Sequence, residues 1–307
     1  MHALILDMIS PEGKTGPEAA FAQLETRVLN KPILVHHIEN LKARGIESIT
    51  VLTQKDLSSS LKDGKRWGVD LRIEKALDRQ MVMDINTESW IILPGNYLLD
   101  WQQGETQSAQ ENARDGLGWT VLSDVPECFY PMELDLSGAL ESSEQNFVMN
   151  PQKLLNFIER QDTHVVNRYE QSKVFKFNDY ESLWKSSQSL FVSEGANHNM
   201  AGYPMGNGIW IDVGTRIHES CRAKGYVLVG ENSRVHRNVK FKGLVVIGDN
   251  VVIDEGSTLE DTIVMDNTYI GRDVLLRQAV TDQKILYRAD LNAATLIEDR
   301  FLLSSTQ

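Results

Sequence analysis

The chain predicts an α/β domain with a mostly parallel sheet, followed by a solenoid whose coils present three short flat faces. Three observations carry this. Strand-like and helix-like apolar patterns alternate through roughly the first 180 residues. From residue 211 an apolar side chain returns every six residues, a period that belongs to neither a helix nor a strand alone. Between those positions stand turn formers, as in "VGENSR", "IGDNVV", "IDEGST" and "MDNTYI".

"HALIL" reads as a first core strand. "NKPILVHHIENLKARG" reads as a helix that ends at Gly45, and "IESITVLTQ" as a second strand. Further strands are expected at "VDLRIE" and "SWIILPGNYLLD", with a helix near residues 76–85 between them. A β-α-β-α-β order implies a mostly parallel sheet covered by helices on both sides. "NPQKLLNFIERQ" and "DYESLWKSSQSLF" read as two later helices.

The six-residue step holds strictly through Ile211, Ile217, Ala223, Val229, Val235, Phe241, Ile247, Ile253 and Leu259. It then slips by one and resumes at Val264, Ile270 and Leu276, which predicts a five-residue face or a small bulge at 259–264. A second inward position is expected four places on, at Thr215, Cys221, Val227, Ser233, Val239, Val245, Val251, Ser257, Ile263, Thr268, Val274 and Val280. Three positions per turn give about four coils of roughly 18 residues. Asn and Gly at the corners supply the positive φ that tight turns need.

Composition bounds the function. The 307 residues suffice for two domains, and net charge is −12, with 43 acidic residues against 31 basic ones and no dense basic run. That balance argues against a nucleic-acid partner. Two cysteines, Cys128 and Cys221, form no disulfide framework or metal motif, which suits a reducing cytoplasm. "MHALILDMIS" has no basic n-region, and no apolar stretch reaches bilayer-spanning length, so no membrane insertion is expected.

The repeat resembles the left-handed parallel β-helix of hexapeptide proteins. "ALIL", a loop, and then "VLNKPILVHHIENLKARGIESITVLT" are similar to the opening of the sugar-1-phosphate nucleotidyltransferases. "WIILPGNYLLDW" resembles that family's central strand ending in Gly-Asp. With the hexapeptide tail, the resemblance covers nearly the whole chain. It implies a Rossmann-like nucleotidyltransferase domain of GT-A type over residues 1–192. A Gly/Asn-rich linker over 193–208 and a left-handed β-helix with a C-terminal tail over 209–307 would follow.

The residues that would carry the family's chemistry depart from it. The G-x-G-T-R loop, whose amides and arginine hold phosphates, is replaced by "DMISPEGKTGPEAAF", leaving Gly13, Lys14, Thr15 and Gly16. The phosphate-facing lysine falls on Gln23, and the metal-holding Gly-Asp is Gly95-Asn96. The second metal acid should lie in "SKVFKFN", which has no acid before Asp179, and the loop before residue 76 reads "RIEKALDR" instead of containing G-T-A. Together these residues outline a vestigial nucleotide cleft with no catalytic residue and no resident cofactor.

The function expected is therefore a catalytically degenerate regulator or scaffold in bacterial-type exopolysaccharide synthesis, located in the cytoplasm. It would bind a nucleotide, a sugar nucleotide or a partner enzyme. Apolar "KGLVVIG" and "DTIVM" predict one sticky face and a homo-oligomer joined through the β-helix. An alternative is an active mannose- or glucose-1-phosphate nucleotidyltransferase with a displaced Mg²⁺ site using Asp7 and Asp100, with Lys14 as a further charged group. A second is a hexapeptide acyltransferase using a corner histidine, His218 or His236. "EGKT" is only half a P-loop, since Met8 stands where its first glycine belongs.

Overall fold

The computed structural model describes residues 2–7, 24–78, 80–81, 90–100, 173–194 and 201–306. The chain divides into two compact units, Met1–Thr26 with Pro32–Lys176, and Arg27–Lys31 with Phe177–Gln307.

In chain order the first elements are β1 (His2–Leu6), β2 (Arg27–Val28), β3 (Lys31–Pro32) and α1 (Ile33–Lys42). They are followed by β4 (Ser48–Leu52), α2 (Ser59–Lys62), β5 (Asp70–Glu74), β6 (Trp90–Pro94), β7 (Tyr97–Asp100) and β8 (Lys173–Lys176). Four strands form one all-parallel sheet in the order β5-β4-β1-β6. Central β1 is a continuous apolar run with Ala3 to Leu6 wholly buried, as a parallel strand covered on both faces requires. Helix α1 supplies Leu34, Val35, Ile38 and Leu41 to the core shared with Ile5, Ile49 and Val51. It ends where Gly45 takes φ +74 and returns its N–H to the Lys42 carbonyl at 2.9 Å.

Two expectations need correction here. "SWIILPGNYLLD" is two strands: it turns at Gly95–Asn96, and β7 leaves the sheet to pair antiparallel with β8. A Rossmann-like layer of helices on both faces is not found among the described residues either. Among the described residues of this unit, α1 is the only helix longer than two turns. "NPQKLLNFIERQ" and half of the helix expected at 76–85 lie outside the described residues.

The second unit holds the helix α3 (Tyr180–Glu194) and a parallel β-helix. The first strands of its solenoid are β9 (Tyr203–Gly206), β10 (Ile209–Ile211), β11 (Arg216–Ile217), β12 (Arg222–Val229), β13 (Arg234–Val235) and β14 (Lys240–Ile247). Next come β15 (Val252–Ile253), β16 (Thr258–Val264), β17 (Thr268–Ile270), β18 (Leu275–Asp282), β19 (Ile285–Arg288), β20 (Ala293–Leu296) and β21 (Leu303–Ser305). One ladder runs β20-β19-β18-β16-β14-β12-β10-β9 and a second β11-β13-β15-β17-β21. The count of about four coils is thus corrected: the larger face is eight strands wide, five of them parallel. Antiparallel β9, β19, β20 and β21 close the ends of the ladders, where bare parallel edges would invite further pairing. Part of the expected Gly/Asn-rich linker is therefore strand β9.

The six-residue step is the solenoid's core. Val229, Val235, Phe241, Ile247, Ile253, Leu259, Val264, Ile270 and Leu276 all belong to one buried cluster. Inward serines are satisfied by neighbouring coils: Ser233 Oγ donates to the Gly248 carbonyl at 2.8 Å and accepts from Val251 N–H at 2.9 Å. At one corner Asn232, Asn250 and Asn267 stack with φ +56, +55 and +58, the left-handed conformation asparagine tolerates. The slip is a bulge between Lys242 and Val245, where the coil shortens from an 18-residue repeat (Arg222 to Lys240) to a 17-residue one (Thr258 to Leu275).

The bulge moves two predicted inward residues. Val227, Val245, Thr262 and Ala279 share the inward column, whereas Leu228, Val246, Ile263 and Val280 share the outward one. Ile263 and Val280 are therefore corrected to the outer surface. That column is nevertheless buried, because α3 lies over it. Tyr180, Leu183, Ser187 and Leu190 form the helix's buried stripe. Trp184 Nε1 donates to the Asp261 carbonyl at 2.7 Å, and the Phe191 and Tyr226 rings lie 4.8 Å apart. The helix starts on a capping box: Asp179 Oδ1 accepts from Ser182 N–H at 2.7 Å, and Ser182 Oγ from Asp179 N–H at 3.0 Å.

The "LNK" turn belongs to this unit as well. Leu29 and Asn30 both have positive φ, the two-residue hairpin geometry. Arg27 grips the Asp249 carboxylate with Nη2 at 2.6 Å and Nη1 at 3.2 Å, and Asn30 Nδ2 donates to the Ile247 carbonyl at 2.8 Å.

Candidate functional site

In the order β5-β4-β1-β6 the chain passes from β1 outward to β4 and β5 and returns to β6 on the other side of β1. The carboxyl ends of β1 and β6 are therefore a topological switch point, where open parallel sheets leave a crevice. Asp7 follows β1, Thr53 follows β4 and Gly95–Asn96 follows β6, so the topology gathers all four at that edge.

Asp7 is buried and faces its neighbour, not open solvent. Thr53 Oγ1 donates to its Oδ2 at 2.5 Å, and its own N–H is bonded to the Leu52 carbonyl at 2.9 Å. Burial raises the Asp7 pKa, with the Thr53 hydrogen bond and the Lys55 charge pulling the other way. Gly95 is required by space. A Cβ there would lie 2.4 Å from Leu24 Cδ2 and 2.8 Å from the Leu6 carbonyl, to which Gly95 N–H donates at 2.7 Å. Its carbonyl faces His37 Nε2 at 3.3 Å, and burial holds that imidazole neutral, its pKa lowered to about 4. Asn96 is 7 % exposed.

This donor set does not fit a divalent cation of the Mg²⁺ type. Such an ion needs oxygen ligands carrying negative charge, and here an amide stands beside a carboxyl that burial pushes toward its neutral form. Among the described residues no group of three His, Cys, Asp or Glu could hold a metal ion. Asp100 closes β7 in register with Lys173, and Asp179 serves as a helix cap. Gly13, Lys14, Thr15, Gly16 and Gln23 lie outside the described residues.

The corner histidines sit on the second ladder. His218 Nδ1 accepts from Ser220 N–H at 3.2 Å and lies 2.9 Å from Ser220 Oγ. A neutral ring then carries its proton on Nε2 and offers a donor there, which is the wrong polarity for a general base. Thr53 and His37 were not singled out by motif. The signal for both was positional: a polar residue directly after an apolar strand, and a histidine in an otherwise apolar helix face.

A scan against protein-family models finds no match, and a search of curated proteins finds no relative. No helix among the described residues is long and apolar enough to cross a membrane.

Proposed function

We propose that the chain is a catalytically degenerate relative of the sugar-1-phosphate nucleotidyltransferases, with a left-handed hexapeptide β-helix as its second domain. It binds a nucleotide or sugar nucleotide, or holds a partner enzyme, as a regulator or scaffold in bacterial-type exopolysaccharide synthesis. One observation carries this reading: the edge of the parallel sheet that would hold the metal presents a buried, Thr53-bonded Asp7 and a buried amide, Asn96. Nucleotidyl transfer depends on charge neutralisation at that edge, and these groups supply little of it.

The test is a titration of nucleoside triphosphates and sugar nucleotides with and without Mg²⁺, run beside a pyrophosphate-release assay. Binding without turnover and without Mg²⁺ dependence supports the proposal. Release of pyrophosphate from any triphosphate and sugar 1-phosphate overturns it in favour of an active enzyme. Asp7 favours that second reading to one extent: a buried acid with no salt bridge among the described residues, at a topological switch point, is a common property of working sites.

Homo-oligomerisation remains part of the proposal, but not through the apolar face first expected. Leu244, Val246 and Ile263 of "KGLVVIG" and "DTIVM" are each 4 % exposed. Exposed apolar side chains of the solenoid unit include instead Val213, Leu275, Leu291, Leu296 and Phe301.

A further inference from the structure

The second ladder of the solenoid carries a groove of about 590 Å³ lined by arginine and histidine. Its origin is a repeat within the repeat, "RIH" at 216–218 and "RVH" at 234–236. Arg216 pairs in register with Arg234, and Ile217 with Val235. Alternation along a strand points the isoleucine and valine inward and leaves both arginines and both histidines on the same outer face. Neighbouring strands lie about 4.8 Å apart, so the two guanidinium groups and the two imidazoles form a two-by-two array.

Charge in the groove is not balanced. Arg237 pairs with Glu255 at 2.9 Å, and Arg272 with Asp254 at 3.3 Å. Asp254 also accepts from the Tyr269 hydroxyl at 3.1 Å, and its carboxyl is held below the usual range. Those four charges cancel. The exposed side chains of Arg216 and Arg234 have neither a hydrogen bond nor an ion pair among the described residues; only their backbone N–H groups are bonded, to the Ser233 and Val251 carbonyls. Two uncompensated positive charges thus stand side by side on a chain whose net charge is −12.

We infer that this groove binds the phosphate or diphosphate group of a small phosphorylated ligand between Arg216 and Arg234, with His218 and His236 as flanking donors. Two adjacent forks of N–H donors match an anion with several oxygens and about two negative charges better than they match a single carboxylate. His218 adds an Nε2–H donor, because Ser220 N–H occupies its Nδ1. The volume is that of a small-molecule site. This inference stands apart from the nucleotide cleft and from the family resemblance.

Calorimetric titration with inorganic pyrophosphate, glucose 1-phosphate and glucose tests it. Pyrophosphate and glucose 1-phosphate should bind saturably at one site per chain, glucose should not, and added salt should weaken both. The double variant Arg216→Gln/Arg234→Gln should weaken pyrophosphate at least about tenfold. Arg288→Gln, which removes an exposed arginine elsewhere in the same unit, should change it less than about twofold. If the double variant melts lower than the parent, Arg216→Lys/Arg234→Lys serves in its place. Charge is then kept and the fork lost, and binding should fall by a smaller factor. Absence of saturable binding overturns the inference, as does equal loss in Arg288→Gln. Binding that survives the arginine pair and falls with Lys14→Ala overturns it too.

Discussion

Asp7 and His37 load the sheet edge with opposite pH dependences. His37 has a folded pKa of about 4 against an ordinary 6.5, so between these values the unfolded chain takes up the proton more readily. Stability therefore falls as pH drops through that window, by up to about 3 kcal/mol. Asp7 has its pKa raised, so the folded state holds that proton more tightly and gains stability as pH falls toward 3.8. His37→Gln keeps a donor for the Gly95 carbonyl and removes the ionisable ring. Thermal melts at pH 7 and pH 5 should then differ less for His37→Gln than for the parent. A second pair of substitutions reads the solenoid register. Ile253 is fully buried, so Ile253→Asp should cost several kcal/mol, roughly 3–5. Asn250→Asp, at an exposed corner, loses one amide contact to Asn267 at 3.3 Å and should cost under about 1 kcal/mol. Equal melting temperatures for the two variants would contradict the register described.

Helix α3 covers an outer face that a solenoid would otherwise leave to solvent. Its polar anchor is Trp184, whose indole N–H reaches the Asp261 carbonyl where the coil shortens by one residue. Trp184→Phe keeps most of the apolar contact and loses that hydrogen bond, so it should cost about 1 kcal/mol. Amide exchange should accelerate in β16 and α3 and hardly change in β11 and β13. The period of six was legible because inward positions in a solenoid recur whatever fills the corners. The exchange of Ile263 for Thr262 was not. A one-residue deletion shifts alternation within a strand, and two apolar neighbours leave its position open. For the same reason "KGLVVIG" read as a sticky face. The pattern records that the outer column is apolar, but not that a helix of the same chain covers it. In the first unit β1, α1, β4 and β5 followed from apolar runs and from Gly45. The break at Gly95–Asn96 was hidden, because the flanking strands read as one continuous apolar segment.

Taken as one molecule, the chain joins a small parallel sheet with a charge-poor switch-point edge to a longer solenoid that carries the arginine-lined groove. The crevice was legible as a set of absences. The proposed nucleotidyltransferase resemblance asks for an acid at Asn96 and a lysine at Gln23, but the burial of Asp7 against Thr53 depends on the β1–β4 register and could not be read from spacing. The groove was legible as the "RIH" and "RVH" repeat, yet its two arginine side chains without an ion pair among the described residues emerge only once the other ion pairs are placed. The crevice is proposed to lack the charge that nucleotidyl transfer needs. Pyrophosphate release from nucleoside triphosphate and sugar 1-phosphate, measured for the parent chain and for Asn96→Asp in the presence of Mg²⁺, tests it most directly. Asn96→Asp restores one negative charge and leaves Asp7 bonded to Thr53, so neither protein should release pyrophosphate above background. At most the variant should gain a small Mg²⁺-dependent rise in melting temperature with nucleotide present. Sustained pyrophosphate release by either protein would show that the crevice is a working site.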